Sequence, residues 1–272
     1  MTELEQYYNK FNEEKRLNSR HGQVEYRTSM HYIHEIIEKM APPEQVKIID
    51  IGAGTGRYAV PLADEGYDVT AVELVKHNLG RLKAKGSRVD ARWGNALNLS
   101  KFAEETFDVA LLFGPLYHLF GFEQKLRALL EAKRVLKTEG VLLAAYCMNE
   151  YAVLTYAFKE KNIGKCLKEN RLTADFHCRG EERDLYDYVR VEDIDSLAKA
   201  AGFVRKKLIS ADGAANYMRP TLKEMDAETF EQFMAYHLAT CERPELVGAG
   251  AHTVDILYKT EMREGELDTV RA

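Results

Sequence analysis

Cysteine is scarce and unpaired in this 272-residue chain: Cys147, Cys166, Cys178 and Cys241 never fall in a C-x-x-C pair. That excludes a disulfide framework or a zinc ribbon and fits a reducing cytosol. A basic excess is also missing, with 38 lysines and arginines against 43 aspartates and glutamates and a net charge of -5. Proteins that live on phosphate backbones normally carry the opposite balance, so a nucleic-acid partner is disfavoured. No apolar run is long enough to span a membrane. The stretch from Val109 to Phe122 is broken by Gly114, Pro115, His118 and Gly121. Met1 to Arg16 is charged and has no apolar core, so no signal peptide is expected and the expected location is cytoplasmic. Internal repeats and low-complexity tracts are absent as well. What is present is globular, 46% hydrophobic and 30% charged, which excludes disordered, collagen-like and fibrous chains. The length suits one elaborated domain.

Tyr26, Met30, Ile33, Ile37 and Met40 recur at helical spacing, and Pro42-Pro43 ends that helix. From there strand and helix alternate. The strand readings are 46–51, 67–73, 88–93, 107–113 and 141–147. The helix readings between them are 57–65, 75–85 and 123–137. Strands apolar on both faces, separated by helices, indicate a parallel sheet covered on both sides. After Cys147 the alternation lapses. Residues 148–190 are aromatic and mixed in charge without a clean period, which suggests a substrate lid. Beyond them come a helix at 191–201, a strand at 204–210, helix within 221–241 and a last strand at 252–259. The expected plan is one domain: an N-terminal helical cap (1–43), a core (44–147), the lid, and the rest of the sheet (191–272) with a helical insertion at about 214–250.

The most informative segment is Asp50-Ile-Gly-Ala-Gly-Thr-Gly56, which joins a strand to a helix. Its glycines permit a tight turn and close approach of a ligand to the backbone. Arg57 stands where a dinucleotide G-x-G-x-x-G loop needs its last glycine, and no P-loop pattern occurs. Glu73 ends the next strand, where a carboxylate can accept hydrogen bonds from a ribose diol.

Together with Glu73, the Gly94-Asn95-Ala96 turn, Phe107-Asp-Val109 through Gly114-Pro115, Arg134 to Leu142 and Ala201-Gly-Phe203, this loop resembles the class I S-adenosylmethionine-dependent methyltransferases. The resemblance is close over 44–147 and looser over 190–210. It implies an α/β, Rossmann-like, doubly wound sheet of seven mostly parallel strands, the last antiparallel. It also implies S-adenosylmethionine as cofactor, bound by Asp50, Gly52, Ala53, Gly54, Gly56, Arg57, Glu73, Leu74, Asn95, Ala96, Phe113 and Gly114. The glycine loop would pass under the methionine part, Glu73 would hold the ribose, and Leu74 and Ala96 would flank the adenine. Asn95, where aspartate is usual, would reach the adenine amino group, and Phe113 and Gly114 would lie near the sulfonium.

Methyl transfer needs alignment and exclusion of water more than a loud catalytic motif. Tyr117 and His118 follow the fourth strand and are the catalytic candidates; packing against the next helix is their bland alternative. Tyr26, Tyr146 and Tyr151 are candidates for the acceptor. Arg20 or Arg27 could meet the cofactor carboxylate from the N-terminal segment, which also holds Tyr7, Tyr8 and Phe11. No metal site is expected, His31 and His34 lacking a third partner. The leading expectation is a small-molecule methyltransferase. An RNA or protein acceptor, and a non-catalytic cofactor-binding module, stay open as alternatives. The sequence leaves the oligomeric state open.

Overall fold

The computed structural model describes residues 18–260. Tyr7, Tyr8 and Phe11 lie outside the described residues. Seven strands form one sheet in the order β3-β2-β1-β4-β5-β7-β6. They are β1 (Lys47–Ile51), β2 (Asp68–Glu73), β3 (Asp90–Trp93), β4 (Phe107–Leu112), β5 (Leu136–Cys147), β6 (Val204–Ser210) and β7 (His252–Tyr258). β1 to β5 pair in parallel, whereas β7 runs antiparallel between β5 and β6. This is the Rossmann-like sheet the resemblance implies.

Two apolar layers sandwich the sheet. Ile33 and Ile37 of helix α1 (Arg20–Ile37), Leu62 of α2 (Ala59–Asp64) and Leu82 of α3 (Lys76–Ala84) pack on one face. Leu129 and Val135 of α4 (Gly121–Val135) and Leu197 of α7 (Val191–Ala200) pack on the other. Burial on both faces is why β1 and β4 read as continuous apolar runs. Ser19 caps α1 by accepting from the Gly22 N–H. Met40, read as part of that helix face, lies beyond the helix end and is exposed.

Other boundaries also differ from the sequence reading. α4 passes into β5 with no intervening loop, so Leu136 already pairs with Phe107 and the strand starts five residues before Val141. The segment read as aperiodic begins with a helical turn, α5 (Asn149–Ala152). It continues as a π-helix, Val153–Lys159, and then α6 (Ile163–Lys168). The helix expected within 221–241 is two helices, α8 (Arg219–Glu224) and α9 (Ala227–Thr240). Asp226 between them accepts from the Thr229 N–H and restarts the helix. A last turn, α10 (Pro244–Val247), precedes β7. Among the described residues no helix is long and apolar enough to cross a membrane.

A buried ion pair ties segment 148–190 to α4. Lys125 Nζ lies 2.5 Å from Asp187 Oδ2 and also donates to the Leu119 carbonyl. Asp187 Oδ2 accepts the Gly121 N–H as well, and the Asp187 N–H donates to the Tyr117 carbonyl. Removing one partner of a buried pair strands the other charge. Lys125→Ala is therefore expected to lower unfolding free energy by about 3–5 kcal/mol. Lys125→Met with Asp187→Asn should recover part of that loss, and urea unfolding of the three proteins checks both.

Candidate active site

The strand order reverses between β1 and β4, and ligands of open α/β sheets sit beyond the strand ends at such a point. A cavity lies there. All the residues expected at the cofactor line it except Gly56, and Tyr117 and His118 line it too. Thr55, Tyr58, Pro115 and Leu119 also line it, and the sequence reading gave none of these a role at the cofactor.

The glycine loop is shaped by sterics. Gly52 has φ +78°, and a Cβ there would stand 2.6 Å from the Pro115 ring. Gly54 has φ +56° with open space where its Cβ would be, so its backbone is bare to the cavity. Gly56, with φ +81°, is occupied from behind by Leu82, which explains why it packs rather than lines. Gly52→Ala is expected to cost about 1–3 kcal/mol in backbone strain and to narrow the cavity against Pro115. Thermal unfolding with and without the cofactor separates the two effects.

Glu73 locks this loop. Its Oε2 accepts the Gly54 N–H at 2.7 Å and its Oε1 accepts the Val75 N–H at 2.6 Å. Burial pushes its carboxyl above the usual range, opposed by these backbone donors. Asp50, at the end of β1, is pushed up to about 7, first by burial and then by the charge of Glu73. Asp50 Oδ2, Thr55 Oγ1 and Arg57 Nε are buried atoms with no hydrogen-bond partner among the described residues. Buried polar atoms almost always have partners, so three orphans around one cavity point to a polar ligand. The Arg57 guanidinium lies 4.1 Å from the centre of the Tyr26 ring, and Tyr26, Tyr58 and Phe113 continue as an aromatic row.

Leu74 and Ala96 line the far end of the cavity. Asn95 lies there as well, exposed, its Oδ1 already accepting the Leu97 N–H. Tyr117 donates from its hydroxyl to the Phe113 carbonyl at 3.3 Å. His118 donates from Nδ1 to the Leu185 carbonyl, and burial lowers its pKa to about 4. It is therefore neutral near pH 7 and a weak base, better suited to orienting than to removing a proton.

The acceptor candidates separate. Tyr26 packs on Arg57 and Tyr58 beside the cavity. Tyr151 meets Tyr217 edge-on at 5.0 Å and its hydroxyl accepts from Arg219. Tyr146 is buried in the core on the α4 face and does not line the cavity. Alternation along β5 turns its ring away from the ligand side. Arg20 and Arg27 are also engaged elsewhere, Arg20 over the Phe230 ring and Arg27 in a two-pronged pair with Glu231, so both fasten α1 to α9.

A second cavity, of about 520 Å³, lies within segment 148–190 and includes Tyr186 in its wall. Tyr186 stacks on His118 at 5.3 Å and meets Tyr117 at 5.8 Å. On another side of Tyr117, its ring 6.3 Å away, is His252, which sequence reasoning missed because its partners Glu25 and Asp212 are far apart in the chain. Ligand atoms of Glu25, Asp212 and His252 all lie within 4.8 Å of one another.

The chain is similar to several known proteins. Residues 49–144 match a family model described as a methyltransferase domain. A demethylmenaquinone methyltransferase of Paenarthrobacter aurescens is 35% identical over 114 residues, 40% of this chain and 42% of that protein. A glycine/sarcosine N-methyltransferase of Aphanothece halophytica is 29% identical over 124 residues, 43% of this chain and 45% of that protein. The matches thus span less than half the length of these relatives. A solved S-adenosylmethionine-dependent methyltransferase of Thermotoga maritima, described as a possible histamine N-methyltransferase, aligns at 22% identity. That alignment has a TM-score of 0.55 and covers 94% of this chain and 98% of the other. Residues 49–144 are thus similar to a methyltransferase domain, and the sheet has the fold of the solved S-adenosylmethionine-dependent methyltransferase.

Proposed function

We propose that the protein binds S-adenosylmethionine in the cavity at the β1/β4 switch point and transfers its methyl group to a small-molecule acceptor in the cytoplasm. The observation that carries this is the set of orphaned polar atoms, because their chemistry fits an amino-acid group. Asp50 Oδ2 suits an ammonium, while Arg57 Nε and Thr55 Oγ1 suit a carboxylate. Glu73 keeps acceptor capacity for ribose hydroxyls while holding the loop. Leu74 and Ala96 flank the adenine, and Asn95 meets its edge. Phe113 and Gly114 sit by the sulfonium, which supplies an already activated methyl group. The protein's own task is alignment and exclusion of water, worth up to about 7–11 kcal/mol.

The acceptor comes in over Tyr117, with His118 orienting it and segment 148–190 closing as a lid. The lid's own cavity, about 520 Å³, has the size of a small-molecule site. Tyr151 and Tyr26 lie on the acceptor side and the cofactor side of this entrance. Calorimetric titration with S-adenosylmethionine and its demethylated product, with NAD as control, tests the cofactor. Micromolar affinity for the first two and none for NAD is expected. Absence of binding by the folded protein overturns the reading. Sarcosine, histamine and demethylmenaquinone, the acceptors named for the relatives, make the first transfer screen.

A further inference from the structure

We propose that His252, held by Asp212 and Glu25, receives the acceptor's proton, so that the acceptor is methylated on a nitrogen or oxygen bearing hydrogen. This rests on the methyltransferase reading above and narrows its substrate class. β7 runs antiparallel, so its first residue, His252, pairs with Cys147 at the end of β5 and stands at the ligand edge of the sheet. Tyr117 lines the cofactor cavity, and its ring centre lies 6.3 Å from that of His252.

Asp212 is fully buried and completely engaged. Its Oδ1 accepts the Ala251 and His252 N–H groups, and its Oδ2 accepts from Asn216 and from His252 Nδ1–H at 2.7 Å. This fixes the imidazole tautomer and leaves Nε2 without a hydrogen bond to the described residues. A carboxylate that orients one ring nitrogen while the other takes a proton is the arrangement of an efficient general base. Both Asp212 oxygens are satisfied by protein donors, which favours a proton site over a metal centre.

The groups around the ring come from five directions: Glu25 on α1, Tyr117 after β4, Cys147 on β5, Tyr151 on α5, and Asp212 after β6. Burial works against an imidazolium here. Glu25, Cys147 and Asp212 outweigh it and hold His252 well above its ordinary pKa. The reacting form is the one with neutral His252, so kcat/KM rises with pH through the His252 pKa, and this ring is a stronger base than His118, whose pKa burial lowers.

In the transfer, the methyl carbon's bond to sulfur breaks with its electron pair staying on sulfur. A bond from the acceptor heteroatom to that carbon forms. The acceptor's hydrogen leaves as a proton to the lone pair on Nε2 of the neutral imidazole, giving the imidazolium, which returns the proton to solvent before the next turnover.

The test combines two readouts. Protein carrying ¹³C-labelled histidine is titrated by NMR, with the His252 signal identified by its loss in His252→Asn. Its pKa is expected above 6.5, and lower in Glu25→Gln and in Asp212→Asn. In parallel, transfer to histamine, sarcosine and catechol is measured with calorimetry of S-adenosylmethionine binding. At least one probe is expected to be methylated, with kcat about 10²–10⁴-fold lower in His252→Asn and cofactor affinity within twofold of the original. Asp212→Asn should move the acid limb of kcat/KM to lower pH, which a purely structural role would not do. A pKa at or below 6.5, equal transfer by His252→Asn, or transfer to none of the probes by protein that binds S-adenosylmethionine overturns the proposal. So does tight zinc binding that is lost in Glu25→Gln. Failure of the unsubstituted protein to bind S-adenosylmethionine instead removes the reading on which the proposal rests.

Discussion

Glu73→Ala is expected to lower affinity for S-adenosylmethionine by about 10²–10⁴-fold, because two contributions vanish together. Hydrogen bonds to a charged group are worth about 1.5–3 kcal/mol each, so losing those to a ribose diol already reaches this range. The second contribution is the loop itself. The Gly54 and Val75 N–H groups, at 2.7 and 2.6 Å from the carboxylate, lose their acceptor, and an orphaned buried donor costs about 1–3 kcal/mol. The variant should therefore unfold at lower urea as well as bind poorly. Glu73→Gln separates the effects. Its amide oxygen can serve one N–H, while its NH₂ faces the other donor across a distance now set for an acceptor. It should fall between the two proteins in stability and remain far below the original in affinity. Calorimetry beside urea unfolding reads both quantities, and full affinity in either variant rules out Glu73 as a cofactor ligand.

How far this site could be read from residue order alone varies with the range of the interaction. The glycine loop and Glu73 are local: a turn that needs three positive φ angles, followed by the end of the next strand. The parallel sheet was legible because its strands are buried on both faces. The start of β5 was not, because Lys137-Thr-Glu-Gly140 has a turn's composition. Pairing of Leu136 with Phe107 overrides that composition. The π-helical turn at Val153–Lys159 carries no periodic signal, since apolar spacing there follows neither 3.6 nor 2. Tyr146 looked like a pocket residue by its position at a strand end, but alternation along β5 buries it. His252, Asp212 and Glu25 come from a strand, a loop and the first helix, so no spacing links them. Their meeting follows from the antiparallel insertion of β7 beside β5.

Asp50 gives the molecule a measurable pH signature. Its carboxyl sits at about 7 in the cofactor-free protein, raised first by burial and next by Glu73, against a single opposing N–H from Ala59. An ammonium placed at the orphaned Oδ2 stabilises the carboxylate, so the pKa falls on binding. Below pH 7 the bound state then holds fewer protons than the unbound one. Binding releases a proton, and affinity is expected to fall by about tenfold per pH unit as pH drops below 7. Above pH 7 this group leaves affinity flat. Stability of the cofactor-free protein should move the other way. Between about pH 4 and 7 the unfolded chain has Asp50 ionised while the folded chain keeps it protonated. Fewer protons on the unfolded state make this group's contribution decline as pH rises. S-adenosylmethionine should therefore raise the melting temperature far more at pH 7.5 than at pH 5.5. Asp50→Asn removes the titrating group: its affinity should be lower at pH 7.5 and nearly independent of pH. Calorimetry in two buffers of different ionisation heat counts the released proton. An unchanged count in Asp50→Asn would assign the linkage to Glu73, whose carboxyl is also raised by burial. A count of zero in the original protein would mean that the ammonium does not sit at Asp50.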